Sequence, residues 1–281
     1  MSEIAVLHSA PRLGDLLIHL DIYYSISRNK KQKIILICNN PSPLLKKCNF
    51  IKEIIEYKID KNIKFINSFF KFYQISKKYN ITDIFVLEKN SNPVIFAYFS
   101  GIKNIYSYGI KKIQRKLIKN KSLDKCELKN IEYDQATSFL SKLDFPEYKF
   151  YFKKNNDISN QVFLCNIASD SLRKWPTQKL NNIIQNLTKI DPAINIYINT
   201  DINEFSIIKK KFPKNVTNTI NYSILELFEI ISNSTFTLSI DTAPAHISIR
   251  LGIKTFVLFS RTLPNLYSNF MIPILTKKLK T

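Results

Sequence analysis

Glycine is scarce in this chain of 281 residues: there are four, where an average content of about 7% would give roughly 20. They are Gly14, Gly101, Gly109 and Gly252. No two of them have the spacing of G-x-G-x-x-G or of G-x-x-x-x-G-K-S/T, the loops in which glycine lets the backbone approach phosphate groups. The usual dinucleotide-binding fingerprint and the P-loop are therefore excluded.

Cysteine and histidine are also sparse, and neither occurs in a metal-binding or disulfide pattern. The four cysteines contain no C-x-x-C pair, the three histidines contain no H-E-x-x-H motif, and no D-x-D pair occurs. We therefore expect no metal ion, and isolated thiols fit a reducing compartment. No apolar run approaches the roughly 20 residues that cross a bilayer. The sequence thus predicts a cytoplasmic protein with at most peripheral membrane contact.

Acidic residues are outnumbered, since 42 Lys and Arg against 22 Asp and Glu give a formal net charge of +20. Such a charge attracts polyanions, although drift toward Lys, Asn and Ile in an AT-rich genome explains it equally well. The densest basic segment comprises Lys111, Lys112, Arg115, Lys116, Lys119 and Lys121. It is either a solvated face or a patch that meets the phosphates of a membrane-bound substrate. No basic–aromatic nucleic-acid motif accompanies it, so no nucleic-acid partner is expected.

Apolar runs alternate with helical patterns, which predicts parallel sheets covered by helices. Strands are predicted at 4–8, 33–38, 83–87, 105–108, 161–167, 195–199, 236–240 and 255–259, the last being the final strand. Helices are predicted at 16–27, 63–79, 93–100, 176–187, 203–212, 223–232 and 243–251. The pattern breaks over residues 144–159. We therefore expect two α/β domains, residues 1–150 and 160–281, with a cleft between them.

The first polar segment at a strand end is Arg12-Leu13-Gly14-Asp15. Gly14 permits a tight turn or the close approach of a ligand. Asp15 opens a helix, where the free N–H groups and the helix dipole favour a carboxylate. Asp15 is therefore either a helix cap or a general base. A base that takes the proton of an attacking hydroxyl contributes about 10²–10⁴-fold to a rate.

A second segment, residues 239–246, runs from a predicted strand into a helix. The free N–H groups of the first helical turn suit a diphosphate. Asp241 and Thr242 either bind ligand hydroxyls or cap the helix. His246, one turn in, is either a core histidine or a further ligand contact.

A third segment, residues 169–176, follows the predicted strand 161–167. Its hydroxyls, together with Arg173 and Lys174, suit a pyrophosphate, because they offer positive charge where a leaving group becomes more anionic. Trp175 is interpreted as a packing anchor.

These three segments, in this order, resemble the heptosyltransferases of glycosyltransferase family 9, which add ADP-activated heptose to the inner core of lipopolysaccharide. The matching stretches are Gly14-Asp15-Leu16-Leu17, Arg173-Lys174-Trp175-Pro176 and Asp241-Thr242-Ala243-Pro244-Ala245-His246. The resemblance implies a GT-B fold, with two Rossmann-like lobes whose parallel sheets face a central cleft. It also implies an inverting, metal-independent transfer that needs no cofactor besides a nucleotide-sugar co-substrate, ADP-heptose.

The resemblance also implies roles for particular residues. Asp15 is then the catalytic base. The donor is bound by Ser169, Arg173, Lys174, Glu204, Asp241, Thr242, the backbone of Ala243, and His246. An anionic glycolipid acceptor, at the cytoplasmic face of the inner membrane, is bound by Arg12, Gly14, Lys111, Lys112 and Arg115. We expect the enzyme to act as a monomer.

Two departures from the family pattern keep other functions open. Ala243 stands where the family has glycine, so a Cβ lies where the backbone meets phosphate or where a positive φ is needed. Asp21 stands where a proline often follows the start of the first helix. Ala243 favours a degenerate, non-catalytic GT-B protein that binds sugar or lipid. A GT-B nucleotide-sugar epimerase, which needs no acceptor, is the other alternative.

Overall fold

The computed structural model describes residues 2–9, 12–58, 65–87, 92–107, 138–154, 159–168, 173–212, 214–259 and 268–275. The chain forms two compact units, Met1–Phe150 and Tyr151–Thr281. Each unit is built on one sheet whose paired strands are all parallel. Within these described ranges, no helix is long and apolar enough to cross a bilayer.

The first unit contains a five-stranded sheet in the order β3-β2-β1-β4-β5. Its strands are β1 (Glu3–Leu7), β2 (Ile34–Cys38), β3 (Ile51–Glu56), β4 (Ile81–Val86) and β5 (Asn104–Ser107). Its helices are α1 (Leu13–Ile18), α2 (Leu20–Lys30), α3 (Phe65–Lys78) and α4 (Asn92–Phe99), with a 3-10 helix at Pro43–Lys47. β1 and β2 are buried along their whole length, as is typical of inner strands in a parallel sheet.

The second unit contains a six-stranded sheet in the order β11-β10-β9-β6-β7-β8. Its strands are β6 (Gln161–Cys165), β7 (Asn195–Asn199), β8 (Val216–Asn218), β9 (Phe236–Ile240), β10 (Thr255–Phe259) and β11 (Met271–Leu275). Its helices are α5 (Thr177–Ile190), α6 (Ile202–Lys211), α7 (Ile224–Ser232) and α8 (Ala243–Arg250). The predicted capping box of Ser223 and Glu226 at the start of α7 is confirmed.

Both sheets reverse their strand order at an inner pair of strands. In the first unit the chain moves outward from β1 through β2 to β3 and then returns to place β4 on the other side of β1. In the second unit β9 lies beside β6 in the same way, with Leu238 opposite Leu164. Ligands of open α/β sheets bind beyond the carboxyl ends of the strands at such a switch point. The residues that follow β1, β6 and β9 therefore occupy the places where a ligand is expected.

The predicted single helix over residues 16–27 is two helices, and this part of the prediction is wrong. His19 separates α1 from α2, with φ −87° and ψ 4°. Its ring Nδ1 lies 2.7 Å from the carbonyl oxygen of Asp15, the acceptor that the backbone N–H of His19 would use in a continuous helix. The side chain thus takes the place of the backbone donor, and the helix breaks there.

Three strands that the sequence did not predict, β3, β8 and β11, all lie at sheet edges. An edge strand has one neighbour and less burial, so its apolar pattern is weaker. In β11 the run includes Pro273, which an edge position tolerates. The prediction that residues 255–259 form the final strand is therefore wrong, because β11 pairs with β10 beyond it.

Candidate active site

Asp15 lies in the first turn of α1, shortly after β1 ends at the switch point of the first sheet. The N-cap position belongs to the exposed Arg12, and the side chain of Arg12 makes no capping hydrogen bond. Asp15 is partly buried, and it is not the N-cap. Gly14 is inside the helix, and the positive-φ glycines of the described residues are Gly101 and Gly252. Gly14 is therefore not present to allow a left-handed backbone.

Two histidines and a tyrosine surround the break after α1, and no sequence pattern indicates that they meet. Nδ1 of His8 shares a hydrogen bond with the hydroxyl of Tyr23. The rings of His8 and His19 pack edge to face with their centroids 4.6 Å apart. Burial, and then the neighbouring His19, hold the pKa of His8 well below its usual range. His8 is therefore a neutral group at physiological pH, packed beside the histidine that contacts the main chain of Asp15.

In the second unit, Arg173 and His246 converge on Asp241, the residue that directly follows β9. One carboxylate oxygen of Asp241 lies 3.4 Å from Nη2 of Arg173, and the other lies 3.4 Å from Nε2 of His246. Arg173 also donates to the backbone carbonyl of Asp241. Since Arg173 belongs to the segment after β6, this contact joins the two strand ends of the switch point.

The charge state of Asp241 follows from these contacts. Burial, the largest influence, favours the neutral acid, but the hydrogen bond with His246 and the positive charge of Arg173 together lower the pKa of Asp241 below its usual value. Its side chain is 27% exposed. A partly accessible carboxylate that stays ionised at neutral pH is suited to accept hydrogen bonds from the hydroxyl groups of a ligand.

The N-terminus of α8 lies beside this cluster. Thr242 is its N-cap residue, and the hydroxyl of Thr242 donates to the carbonyl of Ile240 at 3.2 Å instead of capping the helix. Ala243 is the first helical residue, and Pro244 follows it, a residue preferred at a helix start. The first turn of such a helix attracts anions through its N–H groups and its dipole.

Lys174 and Glu204 lie next to the end of β7, and both already have protein partners. Nζ of Lys174 is 2.8 Å from a carboxylate oxygen of Asp201, the N-cap of α6, and this hydrogen bond raises the pKa of Lys174. The Glu204 carboxylate accepts from the hydroxyl of Thr200 and, at 3.4 Å, from Nδ2 of Asn166. A ligand that binds Lys174 must therefore compete with Asp201.

Asn166 is a site residue that sequence reasoning missed. It accepts from the backbone N–H of Trp175 at 2.7 Å and donates to the carbonyl of Trp175 at 3.0 Å. These two bonds hold the end of the segment that carries Arg173 and Lys174 against the end of β6. The prediction placed Asn166 inside the strand 161–167, whereas β6 ends at Cys165 and Asn166 follows it. The available signal was the asparagine itself, since this residue type bonds readily to nearby backbone.

Four of the predicted site residues, Ser169, Lys111, Lys112 and Arg115, lie outside the described residues. Within the described part of the chain, no group of three or more His, Cys, Asp or Glu is arranged to hold a metal ion. The described thiols near the sheets are buried; burial raises the pKa of Cys38 to about 11 and also raises that of Cys165. These two cysteines are therefore protonated at neutral pH and unsuited to act as nucleophiles.

Several solved glycosyltransferases have a similar structure. E. coli heptosyltransferase WaaC, solved with ADP-2-deoxy-2-fluoro heptose, matches with a TM-score of 0.78 and 10% identity over 98% of this chain and 94% of that chain. The glycosyl transferase family 9 protein of Veillonella parvula DSM 2008 matches with a TM-score of 0.74 and 12% identity, over 98% and 86%. The chain has a GT-B fold. This confirms the fold class that the sequence predicts.

The UDP-GlcNAc 2-epimerase of Methanocaldococcus jannaschii is also similar, with a TM-score of 0.53 and 12% identity over 98% of this chain and 89% of that chain. No protein-family model matches the sequence, and no curated protein matches it at the sequence level. At these identities the similarity establishes the GT-B fold and leaves the activity to be argued from the residues.

Each unit of this GT-B chain thus carries its candidate residues at the switch point of its own sheet. The first offers a carboxylate, Asp15, in the first turn of α1. The second offers a guanidinium, Arg173, next to the N-terminus of α8. A carboxylate can accept a proton, and a guanidinium beside a helix N-terminus can bind a phosphate group. These are the two kinds of group that acid–base chemistry at a phosphate leaving group requires.

Proposed function

We propose that the chain is an inverting, metal-independent glycosyltransferase. It moves heptose from ADP-heptose to an anionic, lipopolysaccharide-type glycolipid at the cytoplasmic face of the inner membrane. The observation that carries the proposal is the convergence of Arg173, Asp241 and the N-terminus of α8 at the switch point of the second sheet. The similarity of the fold to heptosyltransferases, with TM-scores of 0.74 to 0.78, supports this donor class over others.

The second unit would bind the donor. Arg173 and the first turn of α8 supply positive charge to the diphosphate, whose negative charge grows as its bond to the sugar breaks. Asp241 is anionic at neutral pH because of His246 and Arg173, although its burial opposes this, and it would therefore bind sugar hydroxyls and avoid the phosphates. Because Arg173 and the helix supply this charge, the step requires no metal ion.

Asp15 would act as the general base. Its carboxylate takes the proton of the acceptor hydroxyl while the hydroxyl oxygen attacks the anomeric carbon from the face opposite the diphosphate. The new glycosidic bond forms as the bond from the anomeric carbon to the diphosphate oxygen breaks, and ADP departs. This direct displacement inverts the anomeric configuration.

Asp15→Asn tests this assignment, because the amide keeps the shape of the side chain and cannot accept the proton. We expect transfer to fall about 10²–10⁴-fold, with ADP affinity measured by calorimetry unchanged. Asp144→Asn is the matched control, since Asp144 is exposed and its φ of 57° is one that asparagine accepts. Near-normal transfer by Asp15→Asn would remove Asp15 from the mechanism.

Nucleotide-sugar epimerisation is the second candidate, because an epimerase shares the fold with a TM-score of 0.53. The two activities differ in their need for an acceptor. Incubation with donor alone, analysed by chromatography of the nucleotide sugars, should return the donor unchanged. An epimeric product under these conditions would replace the transferase proposal.

A further inference from the structure

Six large apolar side chains project from α3 and α4 of the first unit, with 37% to 64% of each exposed. We call them the α3–α4 surface; they are Phe65, Ile66, Phe70 and Tyr73 of α3 and Tyr98 and Phe99 of α4. Scattered exposed apolar residues are normal, but a group of them on two packed helices marks an interaction site.

Ring contacts beneath the exposed side chains hold α3 and α4 together. Ile66, Phe70 and Tyr73 are spaced four and three residues apart, so they share one face of α3. The ring of Phe65 packs on that of the buried Phe96 of α4, with centroids 4.9 Å apart. Phe69, beneath the surface, contacts the same ring at 5.9 Å. Because these contacts join α3 to α4, the two helices need not be ordered when a partner covers them.

The charges beside this surface are positive. α3 carries Lys71, Lys77 and Lys78, and neither α3 nor α4 contains an acidic residue. All three lysines are exposed, as is Lys103 after α4, and the ammonium of Lys77 lies 5.4 Å from the centre of the Tyr73 ring. Apolar rings bordered by lysines suit a partner that is apolar inside and anionic at its surface.

The neighbouring strand β3 carries two acidic residues, Glu53 and Glu56, which offset part of this positive charge. Glu56 pairs with Lys58 at 2.8 Å; its hydrogen bond with Lys58 and, more weakly, the charge of Lys71 lower the pKa of Glu56. Glu53 accepts from the hydroxyl of Tyr79 at 2.5 Å.

We propose that the α3–α4 surface docks the protein on an anionic lipid bilayer, with the aromatic rings in the interface and the lysines over the headgroups. A second copy of the chain is a poorer partner, because it would bring two sets of lysines together. A nucleic acid would engage the lysines but offers no hydrocarbon to Ile66 and Phe99. The inference extends the proposed function by naming the contact with the membrane that holds the acceptor, and it does not depend on Asp15 or Arg173.

Flotation with lipid vesicles tests the proposal. The probes are phosphatidylcholine vesicles and vesicles in which phosphatidylglycerol replaces a quarter of that lipid. We expect the wild-type protein to float with the anionic vesicles, and Phe70→Ser/Phe99→Ser to lower that partitioning at least tenfold. The matched control is Ile190→Ser/Ile207→Ser, which removes side chains that are 83% and 52% exposed in the second unit. Its partitioning should stay within twofold of wild type.

Three results would overturn the proposal. They are failure of the wild-type protein to bind anionic vesicles, equal loss in both double variants, and a dimer or an oligonucleotide complex that Phe70→Ser/Phe99→Ser abolishes. Circular dichroism verifies that each variant is folded. Transfer to a detergent-free, soluble acceptor fragment should be unchanged in Phe70→Ser/Phe99→Ser. Vesicle binding without any transfer would refute the proposed function alone, and transfer without vesicle binding would refute the docking surface alone.

Discussion

The stability of the first unit should depend on pH through His8. This residue is 9% exposed, and burial followed by the charge of His19 keeps its pKa well below 6.5, the usual value for histidine. A histidine whose pKa is lowered by folding binds fewer protons in the folded state than in the unfolded state. Its contribution to the free energy of unfolding is therefore complete above pH 6.5 and is lost progressively as the pH falls below that value.

The size of this loss of stability follows from the protonation of His8 in the unfolded chain. One pH unit below 6.5, the unfolded chain is about 90% protonated at this histidine. As long as His8 stays neutral in the folded protein, the free energy of unfolding falls by on the order of 1 kcal/mol relative to its value at slightly alkaline pH. This is a large fraction of the stability of a typical domain.

Urea unfolding followed by far-ultraviolet circular dichroism, at about pH 7.5 and about pH 5.5, measures this loss. In His8→Gln the loss over that interval should be smaller than in wild type by on the order of 1 kcal/mol. Tyr23→Phe is the control, because it removes the hydrogen bond to His8 and keeps the buried histidine. It should retain the wild-type pH dependence, since burial is the main cause of the low pKa. An identical loss in wild type and His8→Gln would refute the reasoning.

Two further predictions concern stability and can be checked by urea unfolding at neutral pH. Asp21 is fully buried and accepts from the backbone N–H of Phe150 at 2.8 Å, so Asp21→Ala should lower the free energy of unfolding by about 1–3 kcal/mol. Lys149→Ala removes an exposed partner 3.4 Å from Asp21 and should lower it much less. Gly101 and Gly252 have φ values of +74° and +68°, so alanine at either position should cost about 1–2 kcal/mol, and asparagine should cost less than alanine. Equal effects of Asp21→Ala and Lys149→Ala, or of alanine and asparagine at the glycines, would contradict these accounts.

The sequence predicted the inner strands well, because burial on both faces leaves a continuous apolar run. Strands were predicted at 33–38 and 255–259 for this reason, and the structure has strands at Ile34–Cys38 and Thr255–Phe259. β3 was not predicted, because two glutamates and one lysine interrupt its apolar run at an exposed edge of the sheet. The pattern of apolar residues thus indicates which strands are buried, and a strand with little burial lacks a clear apolar pattern.

Individual residues of the candidate site could be predicted from the sequence, but the contacts between them could not. Asp241 and Arg173 are 68 positions apart, and each was found because it follows a predicted strand. That they touch depends on β9 lying beside β6, and the pairing of Lys174 with Asp201 depends on β7 lying on the other side of β6. Strand order is set by the packing of whole sheets, so no local pattern reveals it. The bonds of Asn166 to Trp175 are local, over nine positions, and were missed because the predicted strand 161–167 included Asn166.

Ala243, in place of the family's glycine, favoured the alternative of a degenerate binding protein. The structure removes one of the two reasons for this, the need for a positive φ. The non-glycine residues with positive φ in the described part of the chain are Lys31, Asn80 and Asp144, so Ala243 is not strained. It is the first residue of α8, and Pro244, which follows it, has the fixed φ that suits a helix start. Glycine is therefore not needed at this position for its conformational freedom. What remains is the volume of one Cβ beside the proposed phosphate site, which affects how closely the proposed donor approaches α8 and leaves Asp15, the proposed base, untouched.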